Sequence, residues 1–364
     1  MGADLSEPEI ICETHGPAGV VVLNRPQALN ALTLGMVRAL TGALDRWEQN
    51  RKITRIVLSA AGGRAFCAGG DIRLLHDQGR RGDHAAQLQF WREEYTLNQR
   101  IKRYPKPVVA LVDGIVMGGG VGLSVHATHR VAGDRFLFAM PETSIGFFPD
   151  IGATYFLPRL PGRIGTYLAL TGTRVATADA VACGLATTYT PSAALADLAE
   201  ALCEEGDPGM VLTAFAAAAP PASLLDRRAW IDGCFSAATL AAILSGLDRA
   251  AAHGFPEAAD AEKAIRANAP LSVSIALRQM QIGGSLTFEA AMRTEFRIVS
   301  RLCRGHDFYE GVRATIIDRD NHPRWLPARI EEVTTAQVDA HFSDLGDDDL
   351  ALSPRPGVTA GVWA

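Results

Sequence analysis

Apolar and polar positions in the first hundred residues follow two different patterns. Apolar side chains are concentrated at residues 20–23 and 53–58, as expected for short buried strands. Residues 34–47 and 84–103 instead repeat apolar positions at helical spacing. A short apolar run at 108–112, introduced by two prolines, starts a second cycle. Strands that alternate with longer helices predict an α/β fold in which helices cover a sheet.

The pattern changes after about residue 190. Helical spacing continues at 236–250, 259–281 and 287–304, and no convincing strand pattern accompanies it. We therefore expect a helical C-terminal region after the α/β part.

These patterns divide the chain into three segments. Residues 1–200 are expected to form an α/β core, 201–345 a helical C-terminal domain, and 346–364 a tail. The acidic run at 347–349 and the chain beyond Pro354 are expected to be solvated.

Composition excludes several classes of protein. The 364 residues carry a formal net charge of −5, whereas a nucleic-acid-binding protein usually has a basic excess on one face. The longest apolar run, 108–125, contains Asp113 and five glycines, so it does not read as a membrane span. Residues 1–9 are acidic and resemble no targeting segment, which favours a cytoplasmic protein. The six cysteines form no C-x-x-C pair, so no metal site is expected.

Three segments together suggest catalysis, although each alone could be an ordinary turn or strand end. They are residues 65–72, 117–122 and 140–150. A glycine triplet at a helix start exposes backbone N–H groups that suit an anionic oxygen, and the turn at 68–70 could add a second donor. Glu142 and Asp150 have apolar neighbours and prolines around them, and could act as base and acid.

These residues resemble the crotonase (enoyl-CoA hydratase/isomerase) superfamily, whose acyl-CoA motifs are similar to segments 65–72 and 117–122. The resemblance runs from about residue 10 to 342. It is closest to the group that hydrolyses 3-hydroxyisobutyryl-CoA. The segments that carry this closer resemblance are 91–95, 117–125, 138–149, 155–160, 304–313, 317–320 and 325–328.

The resemblance implies a spiral of β-β-α units that holds an acyl-CoA thioester. Its carbonyl oxygen would lie between the N–H groups of Gly70 and Gly119. Glu142 would take the main catalytic position, Asp150 would be the second carboxyl group, and Glu94 would contact a substrate hydroxyl group.

The resemblance also implies which residues contact coenzyme A and what else the protein needs. The turn at 66–71 would lie along the adenine and pantetheine. The substrate-binding residues would be Phe66, Ala68, Gly69, Asp71, Glu94 and Gly119. Coenzyme A would enter as part of the substrate, with no separate cofactor, and a homo-oligomer is possible in this superfamily.

Gly122 separates the subfamilies. Enoyl-CoA hydratases have a glutamate at this position, and two glutamates hold the water that they add. Its absence favours a thioester hydrolase of valine breakdown over a hydratase or isomerase. A non-catalytic acyl-CoA-binding module is disfavoured because the oxyanion donors and both carboxyl groups are retained. Glu142 could attack the thioester itself or activate water, and the missing glutamate favours the covalent route. Glu94 could alternatively be an exposed helix residue paired with Arg92 or Arg100.

Overall fold

The computed structural model describes residues 7–352, and its strands form two sheets. The larger sheet contains, in spatial order, β1 (Ile10–His15), β2 (Ala18–Leu23), β3 (Arg55–Ala60), β5 (Val108–Val112), β7 (His129–Ala132) and β10 (Thr188–Tyr189). The smaller sheet contains β4 (Ala65–Cys67), β6 (Ile115–Met117), β8 (Leu137–Ala139) and β9 (Val175–Ala176). β1 and β9 pair antiparallel with their neighbours, and the other pairings are parallel.

Consecutive strands build a spiral. The pairs β3–β4, β5–β6 and β7–β8 each place one strand in the larger sheet and the next in the smaller sheet. Helices follow these pairs, so the expected spiral of β-β-α units is confirmed. β5 is apolar throughout and β3 is apolar at 56–58, because both faces of a parallel sheet are covered.

The helices of the first half begin where the sequence provides caps. They are α1 (Leu34–Gln49), α2 (Ile72–Arg80), α3 (His84–Lys102), α4 (Gly119–Ser124), α5 (Ala153–Phe156), α6 (Ile164–Thr171) and α7 (Thr177–Ala182). Thr33, Asp71 and Asp83 accept N–H bonds as N-caps of α1, α2 and α3. α3 confirms the helical spacing at 84–103.

The second half is helical, as predicted. It contains α8 (Leu195–Ala201), α9 (Pro208–Phe215), α10 (Arg228–Phe235), α11 (Leu240–Ala252), α12 (Pro256–Ala267), α13 (Pro270–Gly283), α14 (Phe288–Leu302), α15 (Asp307–Val312) and α16 (Thr335–Phe342). Residues 259–281 are two helices rather than one, because Pro270 starts α13 and cannot continue α12. A π-helical turn, Arg313–Ile317, follows α15.

One hydrophobic core continues from the sheets into the C-terminal helices. Phe138 of β8 and Phe296 of α14 belong to the same buried cluster. This core shows no break near residue 200, and the domain boundary expected there remains a prediction. Within residues 7–352, no helix combines the length and the apolarity that a membrane crossing requires.

The expectation that residues 347–349 are solvated is confirmed for Asp347 and Asp348, which are exposed, and is wrong for Asp349, which is partly buried. Leu350 and Leu352 are buried, and Asp349 pairs with Arg297. Arg92 also donates to the carbonyl groups of Asp348 and Asp349. Apolar contact and ion pairing hold this part of the tail against the helices, whereas the chain beyond Pro354 lies outside the described residues.

Candidate active site

One cavity of about 290 Å³ brings the three predicted segments together. Residues after β4, at the end of β6 and after β8 contribute to its wall, because parallel strands end at the same edge of the smaller sheet. The predicted site residues that line it are Ala68, Gly69, Gly70, Glu94, Gly119, Glu142 and Asp150. The structure therefore brings together residues that lie up to 82 positions apart in the sequence, Ala68 and Asp150.

Two glycine turns come into close contact at the floor of this cavity. Gly69 has φ +121° and Gly118 has φ +45°, conformations that side chains disfavour. A Cβ atom on Gly118 would lie 3.2 Å from the Cα of Gly69. Only glycines allow the two turns to approach this closely.

The backbone N–H groups of Gly70 and Gly119 fit the predicted donor roles. Gly119 is the first residue of α4, where an N–H group has no partner within the helix. The parallel bridge beside Gly70 uses the N–H groups of Leu32 and Asp71, which leaves the N–H of Gly70 outside that pairing. Their function as an oxyanion hole remains a prediction.

Glu142 begins the 3-10 helix that follows β8. Its carboxyl group is buried, and within the described chain its Oε2 atom has no hydrogen-bond partner. Burial, and secondly the charge of Asp150, raise the pKa of Glu142 well above its ordinary value.

Asp150 is also buried, and Tyr95 donates its hydroxyl proton to Oδ2 over 2.8 Å. Burial raises the pKa of Asp150 to about 7, although the bond from Tyr95 opposes this rise. Asp150 is therefore suited to carry a proton near neutral pH.

Glu94 faces the cavity from α3. The alternative of an exposed, paired residue is wrong, because Glu94 is only 2% exposed and its Oε1 atom has no partner among the described residues. Arg100 pairs with Asp45 and Glu48 instead. Burial and the nearby Asp150 raise the pKa of Glu94 well above its ordinary value.

Apolar side chains form most of the remaining wall. They are Ile72, Leu75, Phe90, Trp91, Ile145, Phe147 and Ile316. Trp91 and Phe147 stack with their ring centroids 5.6 Å apart. None of the described residues that line the cavity is basic, so no positive side chain offsets the three carboxyl groups there.

Phe66 and Asp71 do not line this cavity. The ring of Phe66 is fully buried in the core. The carboxylate of Asp71 caps α2 at the N–H of Leu74 and lies 3.3 Å from Arg25. Their side chains stabilise the turn, and contact with coenzyme A along its backbone remains a prediction.

Sequence reasoning missed several residues of the site. Tyr95 was part of the motif at 91–95, but its bond to Asp150 joins α3 to a turn 55 residues later. Thr315 and Ile316 line the cavity from the π-helical turn. π-Turns often occur at functional sites, but nothing in the sequence indicated one here. Among residues 7–352, no cluster of at least three His, Cys, Asp or Glu side chains could hold a metal ion.

Comparison with known proteins agrees with this geometry. The enoyl-CoA hydratase/isomerase family model matches residues 18–342. The protein named 3-hydroxyisobutyryl-CoA hydrolase, mitochondrial, from Xenopus tropicalis is 42% identical over 358 residues, which cover 96% of this chain and 92% of the relative. The protein of the same name from Homo sapiens is 43% identical and covers 94% of this chain and 90% of its own length.

Two solved structures have the same fold over nearly the whole chain. A carnitinyl-CoA dehydratase from Mycobacterium thermoresistibile is 38% identical with a TM-score of 0.90, covering 95% of this chain and 99% of its own. An enoyl-CoA hydratase from Rhodobacter sphaeroides 2.4.1 is 41% identical with a TM-score of 0.89, covering 95% and 100%. The extent of these matches shows that the chain belongs to the enoyl-CoA hydratase/isomerase family and has the crotonase fold.

Proposed function

We propose that this protein is a thioester hydrolase that releases coenzyme A from 3-hydroxyisobutyryl-CoA or a related short 3-hydroxyacyl-CoA. The main observation behind this proposal is that two buried carboxyl groups, Glu142 and Asp150, lie in a cavity bordered by two glycine turns. Relatives with the hydrolase name match over 94–96% of the chain, which supports the same activity.

The two carboxyl groups divide the roles of base and acid. Burial raises the pKa of both, and their mutual repulsion makes it costly for both to be charged. The pair therefore loses its protons in two steps, and between them one group is a carboxylate and the other an acid. The charge of Asp150 contributes to the raised pKa of Glu142, so Asp150 is the first of the two to ionise. The reaction requires the other arrangement of the single proton, in which Glu142 is the carboxylate and the proton is on Asp150.

The reaction then proceeds at the thioester carbonyl. The N–H groups of Gly70 and Gly119 hold the carbonyl oxygen and stabilise its negative charge when the carbon is attacked. Either Glu142 bonds to the carbon and forms an acyl anhydride, or it takes a proton from water that attacks. The carbon–sulfur bond breaks and Asp150 protonates the thiolate. Water hydrolyses any anhydride, and Glu94 accepts a hydrogen bond from the substrate hydroxyl group.

The space around Gly122 argues against hydration of an enoyl-CoA. A Cβ atom at this position would lie 2.7 Å from Nδ2 of Asn98 and 3.0 Å from Cβ of Ile151. A second catalytic carboxylate therefore cannot occupy this place without moving both neighbours. The hydratase and dehydratase titles of the solved relatives nevertheless make hydration the alternative to test.

Two assays on the purified protein separate these activities. A thiol reagent measures coenzyme A release from 3-hydroxyisobutyryl-CoA, 3-hydroxypropionyl-CoA and butyryl-CoA, while absorbance follows hydration of crotonyl-CoA. We expect release of coenzyme A, fastest with the hydroxylated substrates. Hydration of crotonyl-CoA without release from any thioester would refute the proposal, and binding without turnover would identify a non-catalytic module.

Single turnover in H₂¹⁸O, with enzyme in excess, distinguishes the two routes. We favour the covalent route, in which hydroxylamine traps an acyl group at Glu142 and attack on the glutamyl carbonyl puts ¹⁸O into its peptide. Absence of both signals would assign Glu142 as a general base.

The remaining parts of the proposal concern the setting of the reaction. We propose that no metal or separate cofactor takes part, so dialysis against EDTA should leave turnover unchanged. Participation in valine breakdown, a cytoplasmic location and a homo-oligomer are proposed with it. Growth on valine after gene deletion, cell fractionation and light scattering test these three points.

A further inference from the structure

The turn that carries Asp150 has an unfavourable backbone conformation. Ile151 has φ +55°, in the left-handed region that a β-branched side chain strongly disfavours, and Gly152 follows with φ +93°. Both residues are buried. Such a conformation persists only where surrounding contacts hold it, and it is common at functional sites.

A buried carboxyl group from α14 holds this turn. Oε2 of Glu295 accepts the N–H of Gly152 over 2.7 Å, and Oε1 accepts the N–H of Thr154 over 2.8 Å. Glu295 is completely buried and does not line the cavity. Both of its oxygens are directed at the backbone immediately after Asp150.

Two further side chains hold the same turn from other sides. Nε2 of His126 lies 2.7 Å from the carbonyl oxygen of Ile151. Gln279 of α13 donates to the carbonyl of Pro149 over 3.0 Å and to the hydroxyl of Thr154 over 2.7 Å. Two helices of the C-terminal region thus fix the backbone on both sides of Asp150.

We propose that Glu295 is a positioning residue, which holds the strained turn so that the carboxyl group of Asp150 faces Glu142 and Tyr95. The expected effect on kcat rests on the proposed function, whereas the role of Glu295 in holding the turn does not. Two convergent N–H groups need one oxygen acceptor each, and a carboxyl group supplies two oxygens where an amide supplies one. Burial raises the pKa of Glu295 to about 8, and the N–H bonds from Gly152 and Thr154 oppose this rise and favour the charged form. Without the clamp, the turn can relax and displace Asp150 from the reacting atoms.

Glu295→Gln tests the proposal because it keeps the size of the side chain and replaces one acceptor by a donor. We expect kcat to fall on the order of 10²-fold with little change in KM, since misplacement of a catalytic group affects the reaction more than binding. Glu289→Gln is the matched control. Glu289 is on the same helix, but it pairs with Arg103 instead of the turn, so its replacement should leave both constants unchanged.

A second measurement needs no substrate. The ionisable groups that interact with Glu295 are Asp150, Glu142 of the 3-10 helix after β8, and Tyr95 of α3. If the turn relaxes, Asp150 loses part of the burial that raises its pKa, so its ionisation should shift to lower pH. The shift is measured as the pH-dependent part of the unfolding free energy that Asp150→Asn abolishes, in wild-type and Glu295→Gln backgrounds.

The outcomes distinguish this proposal from the proposed function. If the folded Glu295→Gln variant keeps the kcat and pH profile of the wild type, Glu295 is only structural and the proposal is overturned. If the wild type hydrolyses no thioester, the proposed function fails and the Asp150 ionisation alone decides about Glu295. If Glu295→Gln does not fold, Gln279→Met replaces it, and a smaller fall in kcat at unchanged KM is required.

Discussion

Asp150→Asn should stabilise the protein at neutral pH while it impairs turnover. The carboxyl group of Asp150 is 4% exposed, and burial raises its pKa from 3.8 to about 7. An acid with a raised pKa in the folded state contributes stability below its unfolded pKa, and this stability is lost as the pH rises to the folded pKa. The window is therefore pH 4 to 7. A shift of about three pKa units corresponds to a loss of roughly 4 kcal/mol in unfolding free energy.

Asparagine has nearly the same shape and can still accept the hydrogen bond from Tyr95, but it never becomes charged. Urea unfolding of wild type and variant at pH 5 and pH 8 measures the difference. We expect the stability of the variant relative to wild type to increase by roughly 2–3 kcal/mol between these pH values. The exposed Glu331→Gln is the control and should give no comparable increase. An equal stability difference for Asp150→Asn at both pH values would refute the reasoning.

Three other substitutions test the remaining parts of the site. Glu142→Gln should lower kcat by about 10²–10⁴ while the fold and CoA binding persist, and retention of more than about a tenth of wild-type kcat would contradict its role. Glu94→Ala should raise KM roughly ten-fold for a 3-hydroxyacyl-CoA but not for the acyl-CoA without the hydroxyl group, and equal effects would make Glu94 structural. Gly122→Glu should lower the melting temperature through contact with Asn98 and give no crotonyl-CoA hydration, so new hydratase activity would show that this space is not restrictive.

The sequence predicted the larger sheet better than the smaller one. β5 is an apolar run of five residues, and β3 contains the apolar run 56–58. The smaller sheet uses strands of two or three residues, such as β9 (Val175–Ala176), which are too short to show a period. Their position depends on pairing with strands distant in sequence, and no local pattern indicates that pairing.

The candidate site shows the same contrast between local and distant information. Glycine turns and isolated carboxyl groups marked Gly119, Glu142 and Asp150 because their chemistry is visible in short segments. The contacts that set the properties of these groups were not predictable in this way. Tyr95 reaches Asp150 from α3, and Glu295 reaches the same turn from α14. Both contacts depend on how helices pack across the core.

The helical C-terminal region therefore has a part in the chemistry as well as in the fold. Ile316 lines the same cavity as Glu142, and Glu295 accepts a hydrogen bond from the turn after Asp150. Burial is the largest cause of the raised pKa of Glu142 and Asp150. The same burial destabilises the charged forms at neutral pH. A site that keeps one proton between two carboxyl groups therefore needs packing from the C-terminal helices to offset this loss of stability. The described residues that line the cavity form no ion pair with the carboxyl groups that would offset it instead.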